Sequence, residues 1–283
     1  MKVLLLGKYG MLGNAVCKSL SNLQGVELLC TARSGDKEAI KFDAVKDSIF
    51  KLIEFTRPDY VVNCIGINWN HEEKSIGNLY KTFKVNSFFS RNLISVAEQL
   101  NTQVIQILTD GVFSGRKGQY HEKSIRSDLT IYGQSKKLGE SRSNKLLGLR
   151  CSIIGPQTNL SQYYLLEWLK SQPKYSSIQG YENHLWNGIT TQAFARIVSG
   201  IIRNKSGIFG KYHLMSADYV TKYELLTLLV KKFGRDDINI NKSKFPRPVD
   251  RTLSTNYLKQ HKWFWEIGGY VNIPSVRELV NEL

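Results

Sequence analysis

The sequence predicts an α/β fold built on a doubly wound parallel sheet, and three observations carry that prediction. First, apolar runs of strand length recur between helical stretches: Lys2 to Leu6, Val26 to Thr31, Tyr60 to Cys64, Val104 to Leu108 and Leu147 to Ile154. Runs without polar alternation read as strands buried on both faces. Second, the opening run passes straight into a glycine-spaced turn, Gly7-Lys8-Tyr9-Gly10-Met11-Leu12-Gly13, and then into a helix from Asn14 to Leu23. Third, the strand–helix alternation holds to Gly155-Pro156 and weakens beyond it.

Composition bounds the rest. The chain has 283 residues, 42% hydrophobic and 22% charged, enough for one large core or a core with a smaller lobe. No apolar run approaches about 20 residues, so no membrane span is expected. The N-terminal run is too short for a leader and reads as a strand. Cys17, Cys30, Cys64 and Cys151 are widely spaced in apolar surroundings, the pattern of reduced core cysteines in a cytoplasmic protein. The net charge of +15 comes from scattered lysines with only short pairs, Lys136-Lys137 and Lys231-Lys232. It predicts a solvated surface whose positive field attracts an anionic substrate, not a nucleic-acid interface. His121 has no second histidine near it in sequence and reads as a loop residue; no metal site is expected.

In order along the chain, the glycines of the first turn let the backbone approach a pyrophosphate seated on the helix N-terminus, in the manner of a Rossmann-type fold. Gly7, Tyr9, Gly10, Met11, Leu12 and Gly13 are therefore candidate cofactor residues. The second strand ends Thr31-Ala32-Arg33-Ser34, with no acid before Asp36. An enzyme restricted to NAD usually places an acid there for the ribose hydroxyls. Arg33 suits a ribose 2′-phosphate, which favours NADPH and leaves NADH open. Ala39 to Phe42 is a short strand ending at Asp43, Asp47 to Phe55 a helix, and Cys64-Ile65-Gly66 follows the next strand, with Gly66 small enough to lie against a cofactor. Ile67 to Ile76 is a polar and aromatic loop, and Leu79 to Leu100 a long helix.

The stretch from Thr109 to Glu140 carries the chemistry. Val104 to Leu108 delivers Thr109 at a strand end, and Tyr132 and Lys136 stand four apart on one helix face. Tyrosine has a pKa of about 10. A cation held beside it favours the phenolate and lowers that value, which makes the pair a proton-transfer device, with the Thr109 hydroxyl available to the same substrate oxygen. Farther on, Tyr163 to Leu169, Thr190 to Arg203 and Tyr223 to Phe233 read as helices and Gly210 to Met215 as a strand. Gln179 to Ile189 reads as an aromatic-rich loop, and Ile238 opens an irregular basic segment.

Thr109 with Tyr132-x-x-x-Lys136 resembles the catalytic trio of the extended short-chain dehydrogenase/reductases. The longer wording, Leu108-Thr109-Asp110-Gly111-Val112-Phe113 and Tyr132-Gly133-x-Ser135-Lys136-x-x-Gly139-Glu140, most resembles their dTDP-4-dehydrorhamnose reductase branch. The resemblance implies a cofactor domain at 1–155 with later contributions from about 187–215, and an interleaved, mainly substrate-binding lobe at 156–283. It implies that Asp43 meets the adenine, that Asn86 supports the backbone at the active site, and that Lys136 contacts the nicotinamide ribose. Asp110, Gly111 and Arg247, the last within Arg247-Pro248 and ahead of Leu253, would meet a nucleotide sugar. The implied reaction is NAD(P)H-dependent reduction of a 4-keto-6-deoxy nucleotide sugar for polysaccharide biosynthesis, by a homodimer. Two readings compete. Relatives of this fold epimerise or dehydrate nucleotide sugars, but the dehydratases carry Asp then Glu after the threonine where this chain has Asp110-Gly111. A regulatory subunit of methionine adenosyltransferase also resembles this branch. Gly111 and Leu108 depart from the Tyr or Cys and the Ser frequent in the reductases.

Overall fold

The computed structural model describes residues 1–69, 75–157 and 164–283. Six strands come first: β1 (Lys2–Leu6), β2 (Glu27–Ala32), β3 (Ile40–Lys41), β4 (Tyr60–Asn63), β5 (Gln103–Thr109) and β6 (Leu146–Cys151). Then follow β7 (Ile153–Ile154), β8 (Ser177–Tyr181), β9 (His184–Trp186), β10 (Ile189–Thr190), β11 (Gly210–His213), β12 (Val220–Thr221), β13 (Asn239–Ser243) and β14 (Val249–Asp250). The central sheet has seven strands in the order β11-β6-β5-β4-β1-β2-β3, all parallel. Its direction of winding reverses between β1 and β4, where open α/β sheets leave a crevice at the strand C-termini.

Helices cover both faces. On one, α1 (Met11–Ser21) packs with α7 (Thr191–Arg203) and α9 (Leu258–Ile267), so that Leu12, Val16, Leu20, Phe194, Ile197 and Phe264 form one core with Val3 and Leu5. On the other, α2 (Ile49–Thr56) and α4 (Ser90–Gln99) set Ile49, Ile53, Leu93 and Ala97 against Leu4, Leu6, Val61 and Val104. Alternate residues of β1 thus serve opposite cores, which explains why the strand is apolar throughout. A third core lies in the C-terminal half, where α6 (Leu165–Lys170), α8 (Lys222–Lys232) and α10 (Val276–Asn281) gather Leu166, Leu169, Leu225, Leu229, Val276 and Val280.

Several elements differ from expectation. The long helix begins at α3 (Ile76–Phe83), capped by Ser75, and passes through a π-helical turn, Lys84–Phe89, before α4. The strand ending at Ile154 breaks at Ser152: β6 pairs with β5, while β7 pairs with β10. The stretch 179–189 is not a loop but contributes to β8, β9 and β10, and the segment after Ile238 supplies β13 and β14. β8 pairs with β13 and β9 with both β12 and β14. These partners lie far apart in sequence, and short strands show their identity only once the partner is known. Helices α9 and α10 were not anticipated. Among the described residues no helix is long and apolar enough to cross a membrane.

Candidate active site

The crevice at the β1/β4 switch point is a cleft of about 790 Å³, lined among others by Gly7, Tyr9, Gly10, Arg33, Asp43, Cys64, Ile65 and Gly66. Gly7 adopts a positive φ of 87°, which favours glycine. A Cβ built on Gly13 would lie 2.0 Å from the Gly7 carbonyl oxygen, so the turn closes only around a glycine. Gly10 caps α1 without a side-chain hydrogen bond, which leaves the positive end of the helix facing the cleft. These features fit a dinucleotide pyrophosphate. Met11, Leu12 and Gly13 sit behind the turn as the start of α1 and do not line the cleft. At the far end Asp43 accepts from the Val45 amide at 2.8 Å. Arg33 is exposed beside Ser34, while Asp36 takes the Tyr9 hydroxyl and Glu38 takes Lys8. The acids after β2 are thus engaged with protein, and Arg33 is the charge offered at the ribose end.

The catalytic candidates converge. α5 (Ile131–Leu138) begins at Thr130, whose hydroxyl accepts from the Gly133 amide at 3.1 Å. Asp128 in turn accepts from the Thr130 amide and hydroxyl. Thr109 Oγ1 accepts from the Gly111 amide at 3.0 Å, donates toward Asp110 at 3.3 Å, and lies with the Tyr132 ring beside Gly111. A Cβ on Gly111 would meet the Tyr132 ring at 2.9 Å, so the glycine that departs from the reductase pattern makes room for the tyrosine. Lys136 turns toward Gly66, where a Cβ would lie 2.8 Å from its Nζ. Asn86, turned inward by the π-helical segment, donates to the Ile67 carbonyl at 2.8 Å and to Ser135 Oγ at 3.0 Å, and accepts from the Ile67 amide at 2.9 Å. It ties the loop after β4 to the helix bearing Tyr132 and Lys136, the kind of functional placement such bulges favour. It does not line the cleft itself.

Electrostatics correct one expectation. Burial pushes the Tyr132 phenol up to about 12, opposed by the Thr109 hydrogen bond. Burial lowers Lys136 to about 8 while Glu140 pulls it back up. In this arrangement desolvation dominates, so the tyrosine stands as a protonated acid. Behind Thr109, Arg150 donates to the Thr109 carbonyl at 2.6 Å and to Glu140 at 2.8 Å. Glu140 also pairs with Arg126 and Lys211, and these cations hold its carboxyl below the usual range against burial.

A second cavity, of about 310 Å³, opens over Thr109 and Tyr132 and is lined by Trp69, Thr109, Asp110, Gly111, Thr130, Tyr132, Ser152 and Arg251. Trp69 lines both cavities, which makes them neighbours. Arg247 is exposed and lines neither. The arginine at the cavity is Arg251, which donates to the Phe113 carbonyl at 2.8 Å and pairs with Asp128 at 3.1 Å. Arg247 is the arginine the resemblance picked out; a bend at 246–247 precedes β14, and it is Arg251, directly after β14, that borders the cavity. Trp69 falls in the polar and aromatic loop read over 67–76, of which residues 70–74 lie outside the described residues. Thr130 and Ser152 gave no signal of their own. Among the described residues no three His, Cys, Asp or Glu side chains group as a metal site.

A dinucleotide crevice whose rim carries threonine, tyrosine and lysine in this disposition defines an extended short-chain dehydrogenase/reductase. More narrowly, the chain belongs to the RmlD substrate binding domain family, whose model matches residues 1–281. It is 24% identical over 234 residues to dTDP-4-dehydrorhamnose reductase of Aggregatibacter actinomycetemcomitans, covering 79% of this chain and 76% of that protein. It is equally 24% identical over 248 residues to methionine adenosyltransferase 2 subunit beta of Rattus norvegicus, covering 82% and 72%. Its fold matches the crystal structure of dTDP-4-dehydrorhamnose reductase from Bacillus anthracis in complex with NADP, with TM-score 0.81 at 17% identity over 99% of this chain and 97% of that one.

Proposed function

We propose that this protein is an NAD(P)H-dependent reductase of a nucleotide-4-keto-6-deoxy sugar, with NADPH preferred and NADH accepted, serving deoxysugar and polysaccharide biosynthesis. The observation that carries the reading is that Thr109 and Tyr132 line one small cavity beside Gly111, adjoining a dinucleotide-sized cleft. A reduced nicotinamide, when bound, supplies the hydride. Thr109 and Tyr132 hold the substrate carbonyl oxygen between two hydroxyls, and Tyr132 gives its proton to the oxygen as charge develops there. Lys136, charged below about pH 8, stabilises the phenolate left behind. Asp110 stands alone where a dehydratase needs two acids, which favours reduction over elimination.

The same reading assigns residues 1–155 and about 187–215 to the cofactor and 156–283 mainly to the sugar nucleotide. It carries with it a cytoplasmic setting, no membrane or nucleic-acid partner, and a homodimer as the assembly to test. The experiment is NADPH oxidation with dTDP- and UDP-4-keto-6-deoxyglucose for wild type and Tyr132→Phe. Expected is turnover in wild type and a kcat lower by about 10²–10⁴-fold in the variant, the range for a lost general acid, with NADPH affinity unchanged. NADPH binding without turnover of any keto sugar would count against the reading and favour a subunit role like that named for the rat relative.

A further inference from the structure

Two cysteines meet outside both cavities. Cys17 lies in the middle of α1 and Cys30 in β2, and both belong to the core between that helix and the sheet. Their Sγ atoms stand 3.7 Å apart. Both are free thiols, Cys30 buried and Cys17 half-buried. A thiol that solvent reaches, backed by a buried second thiol able to resolve it, is the layout of a redox-sensing pair. The contact with Cys30, then those with Ser21 and the Lys8 charge, hold the Cys17 thiol below its usual range against burial. The same contact and burial raise Cys30. Burial also raises the two remaining thiols, Cys64 and Cys151, and a thiol so held is a poor nucleophile.

The pair sits where the cofactor turn is fixed. Thr31, next to Cys30, holds that turn by two hydrogen bonds. Its hydroxyl accepts from the Gly7 amide at 3.3 Å, and its carbonyl accepts from the Lys8 amide at 3.0 Å. The other end of the turn runs into α1, which carries Cys17, through Gly10 at the cleft. Gly13 of that helix already leaves no slack against the Gly7 carbonyl. A disulfide brings two sulfurs to about 2.05 Å, so closing the pair from 3.7 Å ties α1 to β2 at the elements that shape the turn.

We propose that Cys17 and Cys30 form a reversible oxidation site whose disulfide weakens dinucleotide binding in the adjoining cleft. The oxidant is a hydroperoxide. With hydrogen peroxide, the Cys17 sulfur attacks one oxygen, the O–O bond breaks, and Cys17 becomes a sulfenic acid while the thiol proton leaves with the other oxygen as water. The Cys30 sulfur then attacks the Cys17 sulfur; the S–S bond forms, the S–O bond breaks, and the hydroxyl leaves with the Cys30 proton as a second water. Two thiols lose two electrons and one peroxide gains them.

The inference rests on the dinucleotide reading of the cleft and not on which sugar is reduced. It is tested on the full chain, reduced with dithiothreitol, freed of it and exposed to hydrogen peroxide. The four free thiols are expected to fall by two, with a peptide pair joined through Cys17 and Cys30 in non-reducing mass spectrometry. The Kd for NADPH, followed by fluorescence, is expected to rise about tenfold, the scale of one or two lost hydrogen bonds at the turn, and to return with dithiothreitol. In Cys30→Ala, Cys17 is expected to stop at the sulfenic acid and be trapped by dimedone. Cys17→Ser is expected to keep its NADPH affinity in peroxide. No Cys17–Cys30 link in the wild type overturns the proposal. So does a link that leaves NADPH affinity unchanged, or an equal loss of affinity in Cys17→Ser, which would place the damage elsewhere. A reduced protein that does not bind NADPH overturns the dinucleotide reading and this control together, while the thiol count still reads the pair by itself.

Discussion

The two cavities of the site are built in opposite ways. The first cleft is built around glycine turns, strand ends and an open helix terminus, each a short continuous run of sequence. The second cavity is lined by one to three residues from each of several distant stretches, and ion pairs support it: Arg251 with Asp128, and, behind Thr109, Glu140 with three cations. A backbone site is indifferent to most substitutions except at its glycines. A side-chain site depends on a few ion pairs and changes specificity when they change. Substrate preference in this chain is therefore to be sought in the second cavity.

The largest expected effect breaks the support of that second cavity. Glu140 is 3% exposed in its side chain and neutralises Arg150, which holds the Thr109 carbonyl. Glu140→Gln leaves buried cations uncompensated and is expected to cost about 3 kcal/mol of stability, measured by denaturant unfolding at neutral pH. The folded carboxyl is held low, so its stabilisation is present above the unfolded value of about 4.3 and is lost as pH falls through the folded value. The gap between wild type and variant should narrow in acid. A gap that stays constant with pH would show that the network is not what stabilises this region. Next comes the converse break. Gly13→Ala drives a Cβ into the Gly7 carbonyl and is expected to weaken NADPH binding about 100-fold, or about 2.7 kcal/mol. The affinity for dTDP should stay near that of wild type. If dTDP affinity falls equally, the two cavities are not separable.

The same contrast decides what was legible. Gly7, Gly10 and Gly13 stand in one short run, and Tyr132 and Lys136 on one helix, so local spacing singled them out before any contact was known. The sheet followed from runs apolar on both faces. Arg251 and Ser152 gave no such sign, because the register of β9 with β14 and the break between β6 and β7 are set by partners far away in sequence. The ionisation of Tyr132 was misjudged for a related reason. Spacing told which charge was near, and only packing told how dry the phenol is.

The third effect sharpens the assignment of roles within the trio. Lys136 lies at about 8 and is charged below that value, so kcat/KM is expected to be level to about pH 8 and then to fall about tenfold per unit. Lys136→Arg, with a side chain charged well above that range, should carry the limb upward even at reduced rate. A limb that stays in place in Lys136→Arg would remove Lys136 from the rate-setting ionisation.

The smallest effect tests geometry against sequence resemblance directly. Arg247 and Arg251 flank β14 and carry the same charge, so a long-range field would weigh them alike. Arg251 lines the sugar cavity and Arg247 is exposed. Arg251→Ala is expected to raise KM for the sugar nucleotide about tenfold, the scale of a lost charge-assisted hydrogen bond, with KM for NADPH unchanged. Arg247→Ala should leave both within about twofold, as for exposed charges. Because Arg251 also pairs with Asp128 beside the start of α5, Asp128→Asn separates support from contact. If it reproduces the Arg251→Ala effect in kcat as well as KM, the arginine acts through the helix bearing Tyr132. If Arg247→Ala proves the costlier substitution, lining of the second cavity does not decide which arginine meets the substrate, and that cavity needs another wall.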